Sequence, residues 1–180
     1  LDDTQRMVRD TARAFADKQL VPNAARFERE EKIPREVLAE LAGLGLLAVN
    51  IPAEYDGAEA GAVAYALAMM EIARGCASTA VTMAVTNMVG EVIAKFGTDA
   101  QKERYVRGLA TGQLVAGSFA LSEAEAGSDP GSMRTTAEKK GDRWVIRGAK
   151  QWITSADFAG VFVLWARTGG PGTAGISTFL

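Results

Sequence analysis

Apolar residues recur at helical spacing through the first 112 residues of the chain. Asp3 or Thr4 is a suitable cap for a first helix, whose apolar positions lie three or four residues apart until Pro22 ends or kinks it. Pro34 suits the first turn of a second helix. The predicted buried stripe of this second helix consists of Val37, Leu38, Leu41 and Leu44.

Two further stretches, residues 62–74 and 79–95, are apolar on almost every side of a helix. Helices of this kind occupy the centre of a bundle. A capping box at Thr98–Gln101 then predicts a fifth helix, which runs to about Leu109 and is followed by Gly112. We therefore predict an N-terminal all-α helical bundle over residues 1–112.

From residue 113 onward, short apolar runs replace the helical spacing. Candidate strands cover residues 114–121, 134–139, 143–147, 161–167 and 176–180, and the sequence Lys140-Gly141-Asp142 is typical of a hairpin turn. Helices followed by strands indicate an α+β fold and not alternating βαβ units. Because five strands need not close a barrel, we predict an incomplete antiparallel β-barrel-like domain over residues 113–180, with an exposed edge.

Charge and composition exclude several classes of function. The formal net charge is −2, whereas a nucleic-acid-binding face needs an excess of Lys and Arg. The chain has one cysteine and no histidine. These counts exclude internal disulfides, CxxC motifs, His-based catalytic triads and nearly all zinc sites. We predict no metal site and no nucleic-acid partner.

The most apolar stretches are short and interrupted by Glu71 and Arg74, so we predict no membrane span. The N-terminus has no basic start followed by an apolar core, which argues against a signal peptide. These features favour a cytoplasmic protein. The chain begins at Leu1 and stops inside an apolar run, Ile176–Leu180, which we interpret as a piece of a longer protein.

The first segment with candidate chemistry is Phe119–Asp129. A predicted strand ends at Ser122, and Gly127 in the following turn lets the backbone approach a ligand closely. Successive turn amides, with the hydroxyls of Ser122 and Ser128, could donate hydrogen bonds to a phosphate or a ring carbonyl. Taken alone, an ordinary strand followed by a polar turn explains the same residues. We interpret Glu123, at the strand end, as a loop or capping carboxylate.

The second segment is Lys150–Ser155. Read as a strand, it presents Trp152 and Thr154 on one face. An aromatic ring beside a hydroxyl suits a planar heteroaromatic ligand, since one stacks and the other donates a hydrogen bond. A core tryptophan at a strand crossing explains this segment equally well.

Together, FALSEAEAGSD (residues 119–129) and KQWITS (residues 150–155) resemble the flavin-binding region of the acyl-CoA dehydrogenase family. Upstream, residues 51–57 and 96–102 resemble family segments in the same order. The resemblance covers most of the 180 residues. It implies a bound FAD held by these two segments.

Residue by residue, the resemblance implies a set of cofactor contacts. The ring and ribityl chain of the flavin would be lined by Phe119, Leu121 and Ser122. The loop at Gly127 and Ser128 would meet the cofactor, and Ser128 would also touch the acyl-CoA. The strand packed on the flavin would contain Trp152, Ile153 and Thr154, with the Thr154 hydroxyl near the flavin N5.

The resemblance also implies that the predicted helix over residues 79–95 forms one wall of the acyl pocket. Its candidate substrate-binding residues are Thr82, Val85, Thr86 and Val89, although core packing explains the same apolar pattern.

The chain departs from the family pattern at three places. Ser122 stands where the family usually has Thr, and it keeps the hydroxyl. Ala124-Glu125 stands where the family usually has Pro-Gly, which removes a glycine from the turn and adds a negative charge. Ser155 stands where Asn usually follows Trp-Ile-Thr.

The resemblance implies α,β-dehydrogenation of an acyl-CoA thioester, with hydride transfer to the flavin N5. It also implies an electron-transfer flavoprotein as electron acceptor and a homotetrameric full-length enzyme. In the family the catalytic base is a Glu on a C-terminal helical domain. We therefore assign no catalytic residue within residues 1–180 and expect this stretch alone to be inactive.

Two alternatives remain open from the sequence. One is a relative with different flavin chemistry, such as a nitroalkane oxidase or a flavin monooxygenase of the same architecture. The other is a non-catalytic acyl-CoA-binding or interaction module that kept the fold. An absorption spectrum separates this last class from the flavoproteins.

Overall fold

The computed structural model describes all residues from 1 to 180. The helical region ends at Ala110 and is extended by two π-helical turns, Ala16–Leu20 after the first helix and Lys102–Val106 before the last. Its α-helices are α1 (Asp3–Phe15), α2 (Ala24–Glu30), α3 (Arg35–Gly43), α4 (Gly61–Gly75), α5 (Ala77–Phe96), α6 (Asp99–Gln101) and α7 (Arg107–Ala110).

Two helix starts are fixed by reciprocal capping. The cap of α1 is Asp2, whose carboxylate accepts from the Gln5 amide at 2.8 Å, and both predicted cap residues lie inside the helix. The predicted capping box at α6 is confirmed, with Thr98 and Gln101 each accepting from the other's backbone N–H. Pro34 is the residue immediately before α3 and does not lie in its first turn.

The interior of the bundle is one cluster of 16 buried residues that draws on α1, α3, α4 and α5. Val37, Leu38 and Leu41 belong to this cluster, as predicted from the stripe on α3. Leu44 does not, and it is 42% exposed. The stripe prediction is wrong at this residue because α3 ends at Gly43, so Leu44 leaves the helical face.

Helix α5 lies between the bundle and the sheet, since it packs on α4 and also on the first strand. Its buried residues Val89 and Ile93 join a second core cluster with Val161 and Val163. By length and composition α5 could cross a membrane. Half of that apolar window is buried inside the protein, and core helices of soluble proteins meet the same criteria.

The second region is a five-stranded sheet in the order β1-β4-β2-β3, with β5 paired to β4. The five predicted strands are present: two have the predicted bounds, and the ends of the other three are shifted by at most three residues. Their bounds are β1 (Gly117–Ala120), β2 (Thr136–Lys140), β3 (Arg143–Arg147), β4 (Val161–Arg167) and β5 (Ile176–Phe179).

The predicted α+β class is confirmed, but the sheet is mixed and not purely antiparallel. Strand β4 runs parallel to β1, with Gly117 opposite Val161, and parallel to β2 at Thr136 and Arg167. The pairs β2–β3 and β4–β5 are antiparallel. Strand β4 is buried or half-buried along its whole length and is a nearly continuous apolar run, which is the pattern of a strand covered on both faces. Strand β3 pairs only with β2, so the sheet does not close.

Candidate functional site

The Lys150–Ser155 segment is a series of turns and bends, so the predicted strand is wrong. Trp152 has φ +60° and Ser155 has φ +63°, a left-handed conformation that non-glycine residues seldom adopt. These reversals abolish the alternation that would place Trp152 and Thr154 on one strand face. Instead the Trp152 indole projects into solvent and is 86% exposed.

The same turns leave an unusual number of hydrogen-bond donors without a partner. The backbone amides of Trp152, Ile153, Thr154 and Ser155 donate to no group of the chain. The carbonyl of Thr154, by contrast, accepts from the Ser118 hydroxyl on β1 at 2.6 Å. Because backbone N–H groups of folded proteins are nearly always paired, this row of amides is available to a bound molecule or to water.

The first candidate segment, after β1, turns tightly at Ala124-Glu125. Glu123 and Ala126 exchange two backbone hydrogen bonds, of 3.1 and 3.2 Å. Neither Ala124 nor Glu125 has a positive φ, so the turn does not require a glycine. The charge that Glu125 adds is paired with Arg134. Both consequences of the Ala124-Glu125 departure, the lost glycine and the added negative charge, are thus accommodated locally.

Beyond this turn, Gly127 and Ser128 are exposed, and their amides donate to no group of the chain. Asp129 orders the next turn by accepting from the Gly131 amide at 3.1 Å and from the Ser132 hydroxyl at 2.5 Å. The loop therefore presents a second pair of unpaired donors on an ordered backbone.

The structure brings the two predicted segments into direct contact. The Gln151 amide donates to the Ser122 carbonyl at 2.9 Å, and the Lys150 ammonium donates to the Leu121 carbonyl at 3.0 Å. Phe119 lies further back, half-buried, with its ring centroid 5.8 Å from that of Trp165. The end of β1 and the 150–155 turns form one surface.

Glu123 is held by several donors. Its carboxylate accepts from the Lys150 ammonium at 2.8 Å and from the backbone amides of Arg134 at 2.6 Å and Thr135 at 3.0 Å. Burial alone raises the pKa of this carboxyl, but the hydrogen bonds outweigh it and bring the pKa to about 2. The interpretation as a capping carboxylate is confirmed. A base with this pKa is poorly suited to proton abstraction near neutral pH.

The four predicted pocket residues on α5 differ in burial and in what they contact. Thr86 and Val89 are fully buried against β1, where the Thr86 hydroxyl accepts from the Gly117 amide at 3.3 Å. Gly117 must be small, because a Cβ there would lie 2.7 Å from Val89. These two residues therefore join the helix to the sheet and line no open space. Val85 is half-buried, and Thr82 lines a cleft.

That cleft has a volume of about 450 Å³ and lies between the α2–α3 connection, the start of α5 and residues 154–158. Its wall includes Thr82 and Thr154, one from each region. The Ser155 hydroxyl beside it is buried and has no hydrogen-bond partner. The apolar part of the lining includes Phe27, Ile33, Val81 and Phe158.

Two apolar residues on the open face of α5, Val81 and Met88, were not among the predicted pocket residues, although Val85 was. Val81 is 49% exposed and Met88 is 38% exposed, and the half-buried Val85 lies between them. Their spacing of four and three residues makes one stripe. The helical spacing of these residues is visible in the sequence. In a helix that is apolar on almost every side, however, this spacing does not show which side faces the core.

Lys150 was not singled out either, because a lysine two residues before a tryptophan carries no sequence signal for burial. No group of three or more His, Cys, Asp or Glu side chains in residues 1–180 is arranged to hold a metal ion.

Comparison with known proteins agrees with this arrangement. The family model described as "Acyl-CoA dehydrogenase, N-terminal domain" matches residues 2–113. The model described as "Acyl-CoA dehydrogenase, middle domain" matches residues 118–180.

Among curated proteins, the mitochondrial short-chain specific acyl-CoA dehydrogenase of Bos taurus is 44% identical over 183 aligned residues. That alignment covers 100% of this chain and 44% of the relative. The short-chain specific acyl-CoA dehydrogenase of Clostridium acetobutylicum is 34% identical, over 98% of this chain and 47% of the relative. The chain thus spans about half the length of the curated relatives it matches.

Among solved structures, butyryl-CoA dehydrogenase from Megasphaera elsdenii superposes with a TM-score of 0.93 at 30% identity, over 99% of this chain and 48% of that one. A glutaryl-CoA dehydrogenase from Mycobacterium smegmatis in complex with FADH2 gives a TM-score of 0.91 at 33% identity, over 99% and 45%. The motifs, the two-region fold and both family models agree, and the chain belongs to the acyl-CoA dehydrogenase family.

Proposed function

We propose that this chain is the flavin-holding part of an FAD-dependent acyl-CoA dehydrogenase and forms one wall of its acyl-CoA site. The observation that carries the proposal is the contact between the end of β1 and the 150–155 turns, where unpaired amides and an exposed indole share one surface. Since the chain spans 44% of its first relative, the activity of the whole protein is part of the proposal.

The groups on this surface suit FAD. A flavin ring offers carbonyl oxygens and ring nitrogens at one edge and a flat apolar face. The amides of Trp152–Ser155 and the hydroxyls of Ser122 and Thr154 can donate to that edge, and the Trp152 indole can cover the face. The free amides of Gly127 and Ser128 suit a phosphate. A structural neighbour is described in complex with FADH2.

When bound, FAD supplies the chemistry of the reaction, as the acceptor of the hydride from the acyl-CoA β-carbon. The chain's own residues bind and orient the flavin, and they exclude water from it. We assign the orientation of the flavin to Ser122, Ile153 and Thr154, together with the half-buried Leu121 and Phe119. We assign the acyl wall to the α5 stripe of Val81, Val85 and Met88, with Thr82 at its edge, because apolar side chains exclude water from the reacting carbons.

We assign proton abstraction to a carboxylate outside residues 1–180. Glu123 is the acidic residue nearest to the Ser122 hydroxyl in sequence, but its carboxylate is buried, paired with Lys150 and weakly basic. We therefore propose that residues 1–180 alone do not turn over acyl-CoA.

We further propose a short acyl chain as substrate and an electron-transferring flavoprotein as acceptor. The first rests on relatives named short-chain specific and butyryl-CoA dehydrogenases. The second is supported by a neighbour described as an electron transferring flavoprotein of Acidaminococcus fermentans, with a TM-score of 0.95. The homotetramer and the cytoplasmic location stay predictions. The mammalian relatives are named mitochondrial.

The proposal is tested by anaerobic addition of butyryl-CoA to the purified full-length protein while the visible flavin absorption is followed. We expect the flavin band to bleach on mixing with butyryl-CoA and to respond much less to a long-chain acyl-CoA. A colourless protein, or a flavin band that no acyl-CoA bleaches, would contradict the proposal. Rapid recovery of the band on admission of oxygen would favour the oxidase or monooxygenase alternative.

A further inference from the structure

Glu123 and Lys150 form a buried ion pair between the two flavin-holding segments. Each side chain retains only 9% of its exposure, and the ammonium–carboxylate distance is 2.8 Å. Most ion pairs of this protein are at the surface, where they contribute little. A buried pair is stable only when its remaining donors and acceptors are also satisfied.

Most of the remaining bonds lead to backbone groups beside the candidate site, and the Lys150 ammonium also lies 3.9 Å from the Met133 sulfur. Lys150 donates to the Leu121 carbonyl at 3.0 Å, one residue before Ser122. Glu123 accepts from the amides of Arg134 and Thr135, which lead into β2. The pair therefore joins three chain segments that are separated by 11 to 29 residues in sequence.

Few other bonds hold the two segments in register. The Gln151 amide bonds the Ser122 carbonyl at 2.9 Å, and the Ser118 hydroxyl bonds the Thr154 carbonyl at 2.6 Å. Between these two bonds, the amides of residues 152–155 have no partner in the chain. This row of donors is thus held at its start, where Lys150 and Gln151 are bonded to the Leu121 and Ser122 carbonyls, and near its end at the Thr154 carbonyl.

We propose that the Glu123–Lys150 pair is a positioning element for the flavin: it fixes the 150–155 turns against the end of β1, so that their amides and the Trp152 indole are arranged for the ring before it binds. The inference rests on the proposed function. Both residues act through the backbone and neither is assigned a contact with flavin or substrate. Supporting groups of this kind keep a binding site within the small tolerance that its chemistry requires.

The test compares Glu123→Gln with a matched control, Glu71→Gln, in the full-length protein. Glu71 is also a buried carboxylate, 11% exposed in its side chain, and it is paired with Arg13 at 2.5 Å and Arg74 at 3.2 Å, between α1 and α4. Both substitutions neutralise a largely buried carboxylate of an ion pair and keep the side-chain shape. Only one of them lies between the flavin-holding segments.

Three quantities are measured for each variant: the FAD dissociation constant of the apoprotein, the visible circular dichroism of the bound flavin, and the melting temperature. We expect Glu123→Gln to weaken FAD binding about tenfold or more and to change the flavin dichroism, by analogy with the loss of supporting residues around other cofactors. Glu71→Gln should lower the melting temperature while leaving the dissociation constant and the dichroism unchanged.

Lys150→Met tests the other partner, and Lys150→Arg, which keeps the charge, should restore part of the affinity. If Glu123→Gln does not fold, the comparison of these two lysine variants decides the question. The inference is overturned if the Glu123 and Lys150 variants bind FAD with wild-type affinity and dichroism, or if Glu71→Gln weakens FAD binding and changes the dichroism as much as they do. A wild-type protein without flavin would instead overturn the proposed function.

Discussion

The helical bundle and the sheet region differ in where their polar groups find partners. In the bundle, even a fully buried amide side chain is satisfied within the chain: Asn87 accepts from the Val49 amide at 2.8 Å and donates to the carbonyls of Leu46 and Met83. In the sheet region, the amides of residues 152–155 have no such partner. The bundle is organised around its own interior, whereas the turns of the sheet region leave donors free for a bound molecule or water.

The two regions also differ in how completely their elements are buried. The bundle buries 16 residues in one cluster. Strand β3 has no buried residue, with Trp144 46% exposed and Ile146 39% exposed. We therefore expect stability to depend mainly on the bundle and on the junction at α5, and we propose that cofactor binding depends on the turns. Four substitutions or conditions separate these two properties.

The largest effect on stability is expected from Leu41→Ala in α3. Leu41 is fully buried in the bundle core, and truncation of such a residue costs about 3 kcal/mol through lost burial and the cavity left behind. Leu44→Ala, three residues away but 42% exposed, should cost less than about 1 kcal/mol. Denaturant unfolding of both variants checks the difference. Equal costs would contradict the core assignment.

Acid should remove the contribution of Glu123. The pKa of its carboxyl is about 2 in the folded chain and 4.5 as an unperturbed group. A depressed pKa stabilises the fold at pH values above 4.5, and this contribution is lost as the pH falls from 4.5 towards 2. By linkage it amounts to about 3 kcal/mol. Urea unfolding between pH 5 and pH 2 should therefore show a shallower pH dependence for Glu123→Gln than for wild type. Identical pH profiles would show that the carboxylate is not held as described.

A smaller gain in stability is expected from Ser155→Gly. Ser155 has φ +63°, where an L side chain costs about 1 kcal/mol relative to glycine, and its buried hydroxyl has no partner. Removal of both features should stabilise the fold by about 1 kcal/mol in thermal or denaturant unfolding. The same change at Ser118, whose hydroxyl donates to Thr154, should destabilise it. A loss of stability in Ser155→Gly would contradict the strained geometry of this turn.

The smallest effect on stability is expected from Trp152→Ala, and here the two properties should separate most clearly. With its side chain in solvent, Trp152 should contribute less than about 0.5 kcal/mol to folding. Loss of the indole should nevertheless weaken FAD binding about tenfold, which is the size of a good aromatic contact. The control is Trp144→Ala, which removes packing against Phe179 at 5.3 Å and should leave FAD affinity unchanged. Titration of both apoproteins with FAD checks the comparison.

The bundle could be predicted in most respects from sequence, because its buried residues follow helical spacing and its caps have local signals. The capping box at Thr98 is one case. The errors fall where a helix ends, as at Leu44, and on α5, where an all-round apolar pattern hides which face is free. Thr86 and Val89 were therefore assigned to a pocket, although they pack on β1.

The two candidate segments were chosen from the family resemblance, but their geometry was not predicted. Periodicity suggested a strand at residues 150–155, where the chain instead turns and bends. The left-handed turns at Trp152 and Ser155 depend on tertiary contacts, including the Lys150 anchor and the Ser118 hydroxyl bond. Such contacts between distant residues have no local sequence signal.

Hydrogen exchange of the full-length protein with and without FAD tests most directly whether these turns are organised for a flavin. The account predicts that the amides of residues 152–155 exchange rapidly in the apoprotein and are slowed tenfold or more by FAD. It also predicts that amides in α4 and α5, which are already bonded within their helices, change little. Amides of residues 152–155 that are protected without FAD, or that FAD leaves unprotected, would contradict it.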